Sequence, residues 1–258
     1  KHADKKRNAP DELFTTDKNA LLNDPEINVI VEVINESEPA FDIVTTALNN
    51  GKDVVSASKK MLAEHLPFLI ELQQKTGRSL LYEASACASI PVIRNLEEYY
   101  DNDLLHSIKG IVNGSTNFIL TRMFEEKLSF KDALLLAQQL GFAESDPKLD
   151  VEGIDAVNKW SLLLTHAYGI TEHPSKILHN GIQHIQLADA VVAKEKHFEI
   201  KLVAQAQKMQ NGKVAGFVLP QFVKQVDHLS FVKNEYNGVV IESGFADKQF
   251  FYGKGAGS

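Results

Sequence analysis

The sequence predicts an α/β protein in two parts: a partial doubly wound parallel sheet over residues 1–105, then a second α+β domain over residues 106–258. Three observations carry this reading. Short β-branched runs alternate with helical stretches before residue 84. Helical signals dominate from Phe118 to about Tyr168. Two long apolar runs flank Asn211-Gly212 in the last third, as in a β-hairpin.

Asn28–Ile34 (NVIVEVI) is apolar and β-branched, and reads as a strand buried in a parallel sheet. A helix follows from about Pro39, with Ala40, Ile43, Val44, Ala47 and Leu48 as its apolar face and Gly51 as its stop. Asp53–Ala57 (DVVSA) is the next strand. Lys59–Thr76 is helical, with a break expected near Pro67 and a stop at Gly77. Ser79–Glu83 (SLLYE) is a third strand. This βαβαβ order implies parallel strands joined by right-handed crossovers. In such sheets ligands bind beyond the carboxyl ends of the strands, which places Asn35, Glu36, Ser58 and Lys59 along one edge. No G-x-G-x-x-G follows any strand, so that fingerprint gives no dinucleotide site. The chain opens at Lys1 rather than Met and closes on Gly253-Lys254-Gly255-Ala256-Gly257-Ser258; it reads as a fragment lacking its first βαβ unit.

Ser107–Asn113 (SIKGIVN) alternates like a half-buried strand and runs into Asn113-Gly114-Ser115-Thr116-Asn117, where small residues allow a ligand close to the backbone. Phe118–Lys127 is helical, and the next helix has Ser129 as N-cap and Gly141 as C-cap. A long helix then reaches Tyr168, with Ile154, Val157, Ser161 and Leu164 toward the core and Asp155 and Lys159 on an adjacent strip. Phe198–Lys208 and Lys213–Val223 flank Asn211-Gly212, read as a two-residue turn; Asn237–Ser243 and Gln249–Tyr252 add shorter strands. The far face of this sheet is expected to pair with a second subunit.

Composition narrows the function. The 258 residues are 44% hydrophobic with a formal charge of −7, which argues against a nucleic-acid partner. No apolar stretch reaches the roughly 18 residues of a membrane helix, and no signal peptide is present, so no membrane partner is expected. A single cysteine, Cys87, excludes an internal disulfide framework and a cysteine metal cluster, and the default setting is cytoplasmic. His106, His166, His179 and His184 show no metal spacing.

The chemistry concentrates in Gly141–Pro147 (GFAESDP) and the segment that follows, with Asp150, Asp155 and Lys159. Asp155 and Lys159 are four apart and share a helix face. Glu144 and Asp150 precede that face and could close the same pocket. Carboxylates around a lysine can hold a substrate's ammonium group and supply a general acid to a reacting oxygen. The bland alternative is a solvated ion pair of a few tenths of a kcal/mol.

These segments resemble the homoserine dehydrogenases. The matching stretches are Val31-Glu32 with Glu38-Pro39-Ala40, Gly51–Lys59 (GKDVVSASK), Tyr82–Ser85 (YEAS), Ile90–Arg94 (IPVIR), Gly110–Asn117 (GIVNGSTN), the acidic-run helix and Gly255-Ala256-Gly257. The resemblance covers nearly the whole chain in one order. It implies a Rossmann-like nucleotide domain, a homodimer, and reduction of aspartate 4-semialdehyde to homoserine with NADP or NAD, in the aspartate-derived route to threonine, methionine and isoleucine.

Site roles follow from the resemblance alone. Lys159 matches the proton-donating lysine, Asp155 the carboxylate beside it, and Lys59 a second lysine near nicotinamide and substrate. Glu144 and Asp150 match carboxylates on the substrate's amino group, with Gly114 and Ser115 adding backbone and hydroxyl contacts. Asn35, Ser58, Lys59, Gly255 and Lys1 fall on the cofactor side; the basic run Lys1–Arg7 (KHADKKR) leans toward NADP through its 2′-phosphate. Glu83, with backbone oxygens of Ala86, Ala88 and Ile90, resembles a structural Na⁺ site, a set of hard oxygen donors; the alternative is that Glu83 caps the helix from Ile90. The chain departs from the family pattern at Asn35-Glu36, where two glycines are usual, at Ser58, where Asn is usual, and in the glycine-poor Glu83–Ser89 (EASACAS). The other readings are a dehydrogenase of another small amino-acid substrate, or a non-catalytic substrate-binding or dimerisation fragment.

Overall fold

The computed structural model describes residues 8–100 and 104–255, in two compact units, Lys1–Tyr82 and Glu83–Ser258. The division falls earlier than the expected 105/106, because the segment after Tyr82 packs with the second unit.

In the first unit a short helix α1 (Lys18–Leu22) precedes β1 (Val29–Glu32), α2 (Ser37–Asn49), β2 (Asp53–Ser56), α3 (Lys59–Thr76) and β3 (Leu80–Leu81). The strands form a parallel sheet in the order β1-β2-β3, with Val29 opposite Asp53 and Val54 opposite Leu80. The expected βαβαβ pattern is therefore present, with one difference. Val29, Val31, Val33, Val55 and Leu81 are exposed, while Val54 and Leu80 are buried. β1 thus buries one face rather than two. The strand order never reverses, so successive right-handed crossovers put their helices on the same side. α2 packs on β1 and β2, and α3 on α2, burying Val44, Leu48, Met61, Leu62 and Leu69.

α3 is unbroken through Pro67. A proline costs one backbone hydrogen bond and a clash in mid-helix. Here the ring is exposed, and buried Leu62, Leu66 and Leu69 on either side hold both halves of the helix. Gly77 ends the helix in the left-handed conformation (φ 63°), as its sequence position implied.

The second unit opens with α4 (Ala84–Cys87) and α5 (Val92–Tyr99), followed by β4 (Leu105–Ile111), α6 (Gly114–Glu126), α7 (Phe130–Gln139), α8 (Lys148–Val151) and α9 (Ile154–Tyr168). β5 (Leu178–His179), α10 (Leu187–Glu195), β6 (Phe198–Lys208), β7 (Val214–Lys224), β8 (Tyr236–Ser243) and β9 (Asp247–Lys254) complete it. α4 and α5 pack on α9, and His166 Nδ1 lies 2.8 Å from Glu97 Oε1. Ser89 Oγ donates to the Lys254 carbonyl at 2.9 Å, tying this segment to β9. The six-stranded sheet runs β5-β7-β6-β4-β8-β9, antiparallel except for the β5–β7 pair.

Two local expectations are corrected in this unit. α6 begins at Gly114 rather than Phe118, because the Asn113 side chain caps it. The long helix to Tyr168 is α9, and Asp150 lies in the short α8 before it, with Gly153 (φ 81°) between them, as the sequence implied. The β6–β7 connection is a three-residue loop: Gly212 N–H donates to Met209 O, Met209 N–H donates to Lys213 O, and only Gly212 of the Asn-Gly pair has positive φ. A two-residue type I′ turn needs positive φ at both positions.

Candidate active site

The site is assembled where β4 ends and two helices begin. After Ile111 the chain turns at Val112-Asn113 into α6, and Asn113 is its N-cap: Oδ1 accepts the Thr116 N–H and the Thr116 hydroxyl, both at 2.8 Å. This fixes the amide's orientation, so Nδ2 points the other way, toward the α8–α9 corner. There it donates to Asp150 Oδ1 at 2.7 Å and to Asp155 Oδ2 at 2.9 Å. Lys159, one turn along α9, donates to the same Asp155 oxygen at 2.8 Å and to the Val112 carbonyl at 2.9 Å. Lys159 is only 6% exposed. It lies in the core rather than on a neighbouring strip, because α9 is buried on most of its circumference: Ala156, Val157, Trp160, Leu162 and Leu163 are buried as well. The i,i+4 pair is therefore not a solvated surface pair.

Burial sets the electrostatics. Desolvation opposes the Lys159 charge, but Asp155, by proximity and by hydrogen bond, outweighs it and holds the ammonium above its usual range. Asp150 is pushed up, first by burial and further by the Asp155 charge, while hydrogen bonds from Asn113 and Ser115 pull it back. Cys87 is fully buried beside this group, and desolvation pushes its thiol up to about 12. A thiol so protonated is no nucleophile at neutral pH.

The flank of the site is made by α6 and the loop after α7. Ser115 Oγ donates to the Phe142 carbonyl at 2.6 Å, and the Phe118 and Phe142 rings lie 4.8 Å apart. Gly114 faces the Glu235 carbonyl so closely that a Cβ there would sit 2.5 Å from the oxygen, so only glycine fits. Glu144 lies exposed in the same loop, and its carboxylate is not one of the groups bonded to Asn113 or Lys159.

In the first unit, β1 ends in a buried carboxylate. Glu32 accepts from the Ser56 hydroxyl at 2.6 Å, the Ser58 hydroxyl at 2.7 Å and the Ile34 N–H. Ser58 Oγ also lies 2.5 Å from Ile34 O, so its one O–H is shared between the Glu32 carboxylate and that carbonyl. Lys59 stands in the first turn of α3 beyond β2, and Asn35 is exposed beyond β1.

A family profile described as homoserine dehydrogenase matches residues 91–258, and one described as the homoserine dehydrogenase NAD binding domain matches residues 1–83. The chain belongs to the homoserine dehydrogenase family. It is 37% identical over 237 residues to the homoserine dehydrogenase of Lactococcus lactis subsp. lactis, covering 92% of the chain and 55% of that relative. A homoserine dehydrogenase structure from Thiobacillus denitrificans superposes with TM-score 0.91 at 34% identity, covering 95% of this chain and 56% of that one. A hyperthermophilic archaeal homoserine dehydrogenase mutant in complex with NADPH superposes with TM-score 0.78 at 29% identity, over 95% of this chain and 70% of that one. The chain spans little more than half the length of the first two relatives.

Of the residues singled out in the sequence, Asp150, Asp155 and Lys159 meet in one hydrogen-bonded cluster, with Gly114 and Ser115 in the adjoining first turn of α6. Gly255 follows β9 and abuts the buried Asn237 side chain, where a Cβ would fall 2.0 Å from Nδ2. Lys1 lies outside the described residues. Glu83 caps α5, one of the two readings that its sequence context offered. Its two oxygens accept the Ile93 and Arg94 N–H groups, each at 2.9 Å, capping α5, and the Ile90 carbonyl accepts the Val92 N–H at 2.8 Å. Among the described residues no group of three or more His, Cys, Asp or Glu could hold a metal ion, and no helix is long and apolar enough to cross a membrane. Sequence reasoning assigned no role to Asn113, although its place before a glycine at a helix start is an N-cap signal.

Proposed function

We propose that this chain carries the chemistry of a homoserine dehydrogenase: reduction of aspartate 4-semialdehyde to homoserine with NADP or NAD as the nicotinamide carrier. The observation that carries the reading is the buried Asn113–Asp150–Asp155–Lys159 cluster in a chain of this family. Two carboxylates and one lysine leave a net negative site, which suits the ammonium of an amino-acid substrate. The Lys159 ammonium, held charged by Asp155, stabilises the alkoxide that forms as the aldehyde carbon is reduced, and delivers its proton to that oxygen. In this reading Ser115 and the Gly114 backbone, in the adjoining first turn of α6, contact the substrate, and Glu144 reaches its ammonium from the loop after α7.

The nucleotide side falls to the first unit, the substrate side to the second. Asn35 and Lys59, at the carboxyl ends of β1 and β2, would hold the carrier, where ligands of parallel sheets bind. Ser58 keeps Glu32 and the strand ends in place. Bound there, a reduced nicotinamide supplies the hydride; the relative solved with NADPH supports that class of carrier. The reading includes a homodimer through the six-stranded sheet. Its support is a stripe away from α9, with Gln205 opposite half-buried Phe217 and exposed Gln207 opposite exposed Ala215.

The test is NADPH or NADH oxidation on adding aspartate 4-semialdehyde, with homoserine as product. Consumption of reduced nucleotide that depends on the semialdehyde is expected. Its absence, with either nucleotide bound, overturns the assignment.

A further inference from the structure

We propose that Asn113 is a positioning residue that holds Asp150 and Asp155 side by side as a two-carboxylate receptor for the substrate's ammonium group. The inference rests on the functional reading above and assigns the part that selects an amino-acid head group.

Asn113 is buried, and its amide is fully engaged: Oδ1 caps α6 through Thr116, and Nδ2 reaches one oxygen of each carboxylate. Two carboxylates sharing a buried pocket repel, and such a pair tends to keep a proton. Lys159 offsets one charge. A second fixed cation would offset the other and leave nothing for a substrate ammonium. A neutral double donor lets both carboxylates stand ionised and close together while leaving one negative charge in the pocket. An aspartate at 113 would cap the helix equally well but would add a third carboxylate, and a lysine would cancel the charge. Asparagine meets both requirements. The ionisable groups around Asp150 are Asp155 and Lys159 from α9, with Cys87 of α4 beside Lys159; Ser115 of α6 contributes a hydroxyl.

Two substitutions separate positioning from folding. Asn113→Ser keeps a hydroxyl that can cap α6, as Ser129 caps α7, but removes both donations to the carboxylates. Asn113→Asp keeps size and cap and reverses the donor. Urea unfolding of Asn113→Ser should stay near the parent, because the cap survives, whereas Asn113→Asp keeps the cap but sets a third carboxylate against the other two and should unfold earlier. Affinity for homoserine, by calorimetry, is expected to weaken about tenfold in Asn113→Ser and about a hundredfold in Asn113→Asp, as lost charge-assisted bonds imply. The loss should be larger at pH 6 than at pH 8.5, since carboxylates deprived of their donor hold protons to higher pH. In turnover assays KM should rise more than kcat falls.

Unchanged affinity in both variants, or a pH-independent loss that tracks unfolding, overturns the proposal. A readout free of substrate separates it from the functional reading: the Asp150 carboxyl ¹³C titration should move upward in Asn113→Ser. If the parent chain does not bind homoserine, the functional reading fails on its own. An Asp150 midpoint that stays put in the variant overturns the role of Asn113.

Discussion

Replacing Lys159 with alanine is expected to lower turnover about a thousandfold, the size associated with losing a positioned acid that also stabilises developing charge. That is about 4 kcal/mol on the barrier. The effect on folding is expected to be smaller. Lys159→Ala leaves Asp155 without its cation, and orphaning one partner of a buried pair usually costs about 3–5 kcal/mol. Asp155 is itself largely buried, its side chain 12% exposed, but keeps the Asn113 donor, so a cost at the lower end of that range, about 3 kcal/mol, is expected here. Turnover and urea unfolding on the same sample decide the matter. A rate within a few-fold of the parent would remove Lys159 from the chemistry. A loss of activity that follows the unfolded fraction would make its role structural.

Gly181→Ala should disrupt the site from outside it. Gly181 does not adopt a positive φ and would accept alanine on conformational grounds, yet a Cβ there would fall 1.9 Å from the Val151 carbonyl oxygen and 2.5 Å from the Glu152 backbone. Backbone atoms cannot rotate away as a side chain can. The loop is pinned on both sides, since Ile182 N–H donates to Val151 O at 2.7 Å and Asn180 N–H to Val218 O at 2.9 Å. The α8–α9 corner must therefore move, and it carries Asp150 and Asp155. A loss of about 3 kcal/mol in stability is expected, at the upper end for overpacking. Homoserine affinity should fall with it. Unchanged unfolding and unchanged affinity would show that the corner is not held by this contact.

Much of the architecture was legible because its signals are local. Periodicity placed the parallel strands and their helices, Gly77 and Ser129 marked helix ends as expected, and the Asn-Gly pair marked the hairpin. The misreadings share a cause: tertiary context. Pro67 reads as a break until buried leucines on both sides hold the helix together. Spacing put Asp155 and Lys159 on one face, but whether that face met water or the core depended on elements distant in the chain, above all Val112 at the end of β4. Asn113 lay within a quoted motif without a role, because its Nδ2 partners lie 37 and 42 residues away. Glu83 forms the helix cap that its sequence context offered.

The central claim is that buried carboxylates select an amino-acid ammonium. The most direct measurement compares binding of L-homoserine with that of 4-hydroxybutanoate, which keeps the hydroxyl and carboxylate but lacks the amino group, while the carboxyl ¹³C resonances of Asp150 and Asp155 are followed. The account predicts saturable binding of homoserine with shifts at both carboxylates, and at least tenfold weaker binding of the analogue. Equal binding of the two compounds, or homoserine binding that leaves both resonances unmoved, would contradict it.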